Sequence, residues 1–144
     1  MKKIVSTKDA PAAVGPYSQA IRSGSVLFCA GQIPLDPQTG QIVSDDISEQ
    51  TRRVLENISA VLRAGNLNFG HVVKTTIFLT SMGDFQTVNE IYATYFKENP
   101  PARSTVAVSA LPKGAKVEIE VIAMTDGNDG SDFEEGRSVS DTSG

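Results

Sequence analysis

Apolar residues recur at helical spacing in two segments of the chain. From Ile47 onward they lie three or four positions apart, with Asp45 or Asp46 available to cap the start and Gly65 suited to the end. A second segment, residues 84–96, is richer in aromatic residues and must end before the next proline pair, because proline disfavours helical geometry in the residue ahead of it. The pattern predicts two amphipathic helices.

Other apolar runs, short or alternating and bounded by turn residues, predict β-strands. The predicted strands are residues 17–21, 26–30, 72–79, 102–108 and 117–124, with a short extra arm at 41–43. The order β-β-α-β-α-β-β lets each helix cross between parallel neighbours, and we expect the last two strands to form an antiparallel hairpin. The predicted fold is an α+β two-layer sandwich, a mixed sheet of five to six strands with two helices on one face.

Two helices cover only one face of such a sheet. Strand 72–79 carries apolar residues at both alternating sets of positions, and residues 26–29 are apolar throughout. We therefore expect the uncovered face to be buried by self-association.

Composition sharpens the domain boundaries. The chain has 144 residues, enough for one domain, with 40% hydrophobic and 21% charged residues. Residues 126–144 hold six acidic side chains against one arginine, so they account for the net charge of −4 and leave a nearly neutral body. We expect a domain over 1–124 and a flexible acidic tail over 125–144, with no basic footprint for nucleic acid.

Several classes of protein are disfavoured. One cysteine and one histidine cannot build a disulfide scaffold or the usual structural zinc sets, and no phosphate-binding glycine loop follows a strand. Neither a secretory signal nor an apolar stretch of membrane-spanning length is evident. We expect a cytoplasmic protein without a metal, a nucleic-acid partner or a membrane partner.

Two acidic residues form the first candidate for chemistry. Alternation along strand 117–124 puts Glu118 and Glu120 on one face, and two like charges there favour a raised carboxyl pKa suited to a general acid or base. The alternative is a solvated face, or ion pairs with Lys116 or Arg22.

Arg103 and Tyr17 are further candidates. Arg103 is the single charge between a proline pair and an apolar strand, where it either clamps a carboxylate or pairs with Glu118 or Glu120. Tyr17 follows a turn and either reaches a cleft or packs with one hydrogen bond. Cys29 is expected to be buried and inert, and His71 is given no role.

The same segments carry a family resemblance, which extends over about residues 3–124. The chain resembles the RidA family of enamine/imine deaminases, formerly called endoribonuclease L-PSP. The motifs are Gly15-Pro16-Tyr17-Ser18-Gln19-Ala20, Gly31-Gln32-Ile33-Pro34-Leu35-Asp36, Val88-Asn89-Glu90-Ile91-Tyr92, Pro101-Ala102-Arg103-Ser104 and Val117-Glu118-Ile119-Glu120.

The resemblance implies a chorismate-mutase-like fold in a homotrimeric barrel with three clefts between subunits. It implies hydrolysis of 2-iminobutanoate or 2-iminopropanoate, released by threonine and serine dehydratases, to 2-oxo acids and ammonia, with no cofactor.

The resemblance also implies roles for individual residues. Arg103 would hold the substrate carboxylate, Glu118 would orient or activate water, and Tyr17 would line the cleft near the imine. Gly31 would contact the substrate through its backbone, and Asn89 would help to form the wall of the cleft. The charge of Glu120 would adjust the pKa of Glu118 without contacting the substrate. Thr105 would be a substrate-binding position, and it stands where many members have cysteine. The change is harmless if this position contributes mainly backbone groups, whereas a mechanism or regulation that needs the thiol there is not expected in this chain.

Two other functions stay open at this point. One is a non-catalytic trimer that binds or senses 2-oxo acids through Arg103. The other is an endoribonuclease, which the former family name suggests and the charge distribution disfavours.

Overall fold

The computed structural model describes residues 1–125, which form six strands and two helices. In chain order they are β1 (Lys2–Val5), β2 (Ala20–Ser23), β3 (Val26–Gln32), α1 (Ile47–Ala64), β4 (Val72–Leu79), α2 (Phe85–Tyr95), β5 (Ala102–Ala107) and β6 (Val117–Met124). The predicted acidic tail lies outside the described residues, apart from Thr125.

Both predicted helices are present. The side chain of Asp46 caps α1 by accepting a hydrogen bond from the Glu49 amide at 2.9 Å, and Gly65 ends the helix as predicted. The second helix, α2, ends before the proline pair and buries Val88, Ile91 and Tyr92.

The first two strands differ from the prediction. β2 begins at Ala20 instead of residue 17, because Gly15 has φ +119° and the Tyr17 amide bonds back to the Gly15 carbonyl in a turn. β1 was not predicted, since its four residues are mostly exposed and carry no buried alternation. It pairs antiparallel with β2 at one edge of the sheet.

The sheet order is β1-β2-β3-β6-β4-β5, so the predicted closing hairpin is wrong. β6 inserts between β3 and β4 and runs antiparallel to both, while β4 and β5 are the parallel pair that α2 connects. Every second residue of β6, from Val117 to Ala123, is at most 1% exposed, which suits a central strand. β5 is exposed along nearly its whole length and lies at the edge.

Direct pairing across the sheet defines its two faces, because residues in register share a face. On the helix face, Thr75 of β4 pairs with Val121 of β6, and both are almost fully buried. We call the other side the open face. Its residues on β3, β6, β4 and β5 are Val26, Phe28, Lys74, Thr76, Phe78, Ala102, Ser104, Val106, Glu118, Glu120, Ile122 and Met124.

The open face exposes three large apolar side chains. Phe28 is 47% exposed, and Val106 and Met124 are each 42% exposed. The mixed six-stranded sheet with its two helices confirms the predicted α+β fold and the uncovered face.

Candidate active site

Glu118 lies half-buried on the open face, against the backbone of β3. Burial raises the pKa of its carboxyl above the ordinary value, and the negative charge of Glu120 on the same strand raises it further. Arg22 lies opposite buried Leu27 in the register of β2 and β3, so it is on the helix face. The Lys116 ammonium donates to the Asp45 carbonyl at 2.6 Å. The structure therefore does not show the alternative in which Lys116 or Arg22 forms an ion pair with Glu118 or Glu120.

Gly31 makes room for the Glu118 carboxylate. A Cβ at position 31 would overlap the Glu118 Oε2 atom and stand 3.0 Å from its Cδ atom. The strand register shifts between Cys29 and Gln32, and this irregularity lies at the point where the glutamate approaches the backbone. Only glycine leaves the carboxylate in this position.

Polar side chains of α1 hold the loop that follows Gly31. Buried Asn57 donates to the carbonyls of Ile33 and Leu35, and buried Gln50 donates to the Ser44 carbonyl at 2.7 Å. The predicted arm at 41–43 is reduced to one bridge, between Leu35 and Ile42.

Tyr17 lies at the same end of the sheet as Gly31. The Gln19 carbonyl accepts a hydrogen bond from the Ala30 amide at 2.9 Å, which aligns the segment after Tyr17 with the end of β3. Tyr17 is 54% exposed, and its hydroxyl accepts a long hydrogen bond of 3.4 Å from the Val14 amide. The ring is therefore not buried within this chain.

Arg103 lies on the opposite face, at the edge of the sheet. Its partner in register is Thr75, and its guanidinium donates to Asn89 Oδ1 of α2 at 2.7 Å. The guanidinium carbon stands 5.0 Å from the ring centre of Tyr92 and 5.6 Å from that of Phe85.

Phe85 and Tyr92 were not among the candidate site residues expected from the sequence. Their spacing with Asn89 was the available signal, because positions 85, 89 and 92 recur on one side of a helix.

Thr105 follows Arg103 by two positions and also lies on the helix face, opposite Ile77. Its Oγ1 atom is buried and has no hydrogen-bond partner within residues 1–125. An unpaired buried hydroxyl is costly, because it gives up its hydrogen bonds to water without replacing them.

The candidate residues thus form two separate groups. Tyr17, Gly31 and Glu118, with exposed Glu120 beside them, lie at the end of β2, β3 and β6. The other group lies at the β5 edge and comprises Asn89, Arg103 and Thr105.

The alternative in which Arg103 pairs with a glutamate on the adjacent strand is wrong. β4 separates β5 from β6, and Arg103 and Glu118 lie on opposite faces. Within residues 1–125, Asn89 is the polar partner of Arg103.

The remaining reactive side chains are placed as structural residues. Burial raises the pKa of the Cys29 thiol to about 12, so the thiol stays protonated and unreactive. His71 accepts a hydrogen bond from the Asn68 amide at 3.1 Å and helps to cap a short turn.

Residues 1–125 contain no cluster of three or more potential metal-ligating side chains. Over the same residues, neither helix has the length and apolar character needed to cross a bilayer.

Comparison with known sequences identifies the family. A family model described as Endoribonuclease L-PSP matches residues 7–125. The chain is 48% identical to the 2-iminobutanoate/2-iminopropanoate deaminase of Mus musculus over 124 residues, which cover 86% of this chain and 92% of the relative. It is 54% identical to a RutC family protein of Pyrococcus horikoshii over 123 residues, covering 85% and 98%.

Solved structures agree. A putative endoribonuclease from Thermotoga maritima matches with a TM-score of 0.86 at 53% identity, covering 88% of this chain and 100% of that chain. E. coli TdcF with bound serine matches with a TM-score of 0.83 at 46% identity, covering 86% and 99%. By sequence and by fold, the chain belongs to the RidA family, the family described as Endoribonuclease L-PSP.

Proposed function

We propose that this protein hydrolyses 2-iminobutanoate and 2-iminopropanoate to the corresponding 2-oxo acids and ammonia. Two relatives called 2-iminobutanoate/2-iminopropanoate deaminase, from Mus musculus and Homo sapiens, are 48% and 46% identical to this chain. The observation that carries the proposal is the Glu118 carboxylate, half-buried against Gly31 with a raised pKa. A carboxylate in that state is suited to accept a proton near neutral pH.

The two groups of candidate residues meet in a homotrimer. Arg103 and Glu118 face opposite sides of one sheet, so one chain cannot direct both at a small substrate. The exposed apolar residues of the open face, such as Phe28 and Val106, favour burial against further copies of the chain. A cleft between two copies would take Arg103 from one and Glu118 from the other.

The reaction depends more on positioning the imino acid and the attacking water than on strong activation of either. Arg103 binds the carboxylate of the imino acid and fixes its C2 atom beside Glu118. A water oxygen attacks C2 of the protonated imine while the Glu118 carboxylate takes a proton from that water, giving a carbinolamine. Glu118 returns that proton to the amine, and its regenerated carboxylate then takes the proton of the C2 hydroxyl as the C–N bond breaks. The carbonyl forms, ammonia leaves, and the proton passes from Glu118 to the ammonia.

The other candidate residues complete the cleft. Tyr17, at the Glu118 end, lines the wall near the imine, and the Gly31 backbone contacts the substrate. Asn89 holds Arg103, and Thr105 contributes backbone groups beside it. A protonated imine is already electrophilic, so the proposed reaction needs neither a metal nor a cofactor.

The test couples threonine dehydratase and threonine to a semicarbazide trap. The pure protein should lower the yield of trapped imine and raise the yield of 2-oxobutanoate. Glu118→Gln should lose at least about a hundredfold in rate, whereas Glu90→Gln, an exposed carboxylate on α2, should match the unaltered protein. An undiminished yield of trapped imine would refute the proposal.

A second candidate is a non-catalytic binder of 2-oxo acids or related metabolites. The structure of E. coli TdcF with bound serine supports it, because serine carries the carboxylate that an arginine clamp would hold. The variants separate the two functions. Glu118→Gln that binds 2-oxobutanoate normally but no longer hydrolyses the imine indicates an enzyme, whereas a binder shows no hydrolysis in any form.

An endoribonuclease is a weaker third candidate. It has the former family description in its favour and the nearly neutral body of the chain against it. RNA cleavage that persists in Arg103→Ala and disappears on further purification would mark a contaminant.

A further inference from the structure

The guanidinium of Arg103 rests on an aromatic platform, which we define as the rings of Phe85 and Tyr92 on α2. Cation–π contacts of this kind hold a guanidinium without using its N–H donors in hydrogen bonds. Within residues 1–125 its one hydrogen bond is to Asn89, which leaves the other donors of the fork available. The side chain is held and still able to bind a carboxylate.

The Tyr92 ring is itself fixed. Its hydroxyl forms a 2.7 Å hydrogen bond with Thr75 Oγ1, and both residues are almost fully buried. Thr75 is the residue directly opposite Arg103 in the pairing of β4 with β5. This hydrogen bond therefore holds the Tyr92 ring to β4, the strand next to β5, and β5 carries Arg103.

We propose that Tyr92, anchored by Thr75, is a positioning residue that pre-orders Arg103 for the carboxylate of the substrate. This inference rests on the proposed function and deepens it. An exposed arginine otherwise loses side-chain entropy when it binds a ligand. A platform that restricts Arg103 beforehand reduces that loss, so the affinity for a carboxylate should depend on a ring that the substrate need not touch.

The test measures binding of 2-oxobutanoate and of its uncharged methyl ester by calorimetry, with steady-state kinetics in parallel. In Tyr92→Leu the Kd for the acid should rise about tenfold, with the ester unchanged and kcat within about twofold of the unaltered protein. Tyr92→Phe keeps the ring and Thr75→Val keeps the whole tyrosine, but both remove the hydrogen bond between these side chains. Each should therefore weaken binding of the acid about threefold, less than Tyr92→Leu does.

Ile91→Ala is the matched control, since it truncates another buried side chain of α2 that is not part of the platform. It should lower the thermal midpoint without changing the preference for the acid over the ester. Equal loss of acid and ester binding in Tyr92→Leu, or unchanged acid binding, would overturn this inference alone. Binding of the acid that survives Arg103→Ala would overturn both the inference and the clamp on which it rests.

Discussion

Arg103 and Glu118 project from opposite faces of the same sheet, with β4 between the strands that carry them. Arg103 contacts α2 on the helix face, whereas Glu118 lies on the open face against Gly31. A reaction that needs both side chains on one small substrate therefore needs two copies of the chain.

Mixing two inactive variants should restore activity. Arg103→Ala and Glu118→Gln, unfolded and refolded together at equal concentration, should recover about a quarter of the unaltered activity, because one cleft in four takes both intact residues from different copies. Imine hydrolysis by the refolded mixture is the measurement. Each variant refolded alone is the control, and a mixture no more active than either would place both residues in one chain's site.

Gly31→Ala should lower the hydrolysis rate by about tenfold or more, because a Cβ at this position displaces the Glu118 carboxylate. Glu118→Asp retracts the carboxylate by one methylene, so Gly31→Ala should cost little further when added to it. Rates of the two single variants and the double variant measure this coupling. Gly83→Ala serves as the control, since its nearest neighbour is the Ser81 hydroxyl at 3.3 Å.

The rate should fall as pH drops through the raised pKa of Glu118, since only the ionised carboxylate accepts a proton from water. Glu120→Gln removes a negative charge that raises this pKa, so it should shift the acid side of the profile to lower pH. Lys74 is the other charged group among the open-face residues and is kept intact. The profile of kcat/KM against pH is the measurement, and identical profiles for Glu120→Gln and Glu90→Gln would contradict the prediction.

The same raised pKa predicts a cost in stability. Folding favours the protonated form of Glu118, because the pKa of its carboxyl is higher in the folded chain than in the unfolded chain. The stability that this side chain contributes is therefore present below its pKa in the unfolded chain and is lost as pH rises through its pKa in the folded chain. Glu118→Gln should therefore raise the thermal midpoint at pH 8, and its advantage should shrink toward pH 4. A constant difference across that range would contradict this account.

Gln19→Ala should lower the free energy of unfolding by about 2–4 kcal/mol, because it removes the hydrogen-bond partner of four buried or part-buried backbone groups. The amide side chain of Gln19 bonds to Thr7 in both directions and donates to the carbonyls of Ala10 and Pro11. Urea denaturation measures the loss, with exposed Gln86→Ala as the control. A loss equal to that of the control would mean that the side chain does not hold this segment.

The sequence by itself determined the two helices, five of the six strands and the presence of an uncovered sheet face. These features follow from local periodicity, from capping residues such as Asp46, and from the number of helices available to cover a sheet. Candidate residues also stand out along the chain. Arg103 is a single charge ahead of an apolar strand, and Glu118 is one of two carboxylates that alternate with apolar residues.

Only the tertiary structure decided how those parts are arranged. Strand pairing is non-local, so nothing along the chain placed β6 between β3 and β4 and left β5 at the edge. The residue pattern of an exposed edge strand does not indicate which of its sides faces the helices. The sequence therefore could not show that Arg103 lies on the helix face. Its contact with Tyr92 comes from docking α2 on the sheet, because the helix and the strand meet only when the core is packed.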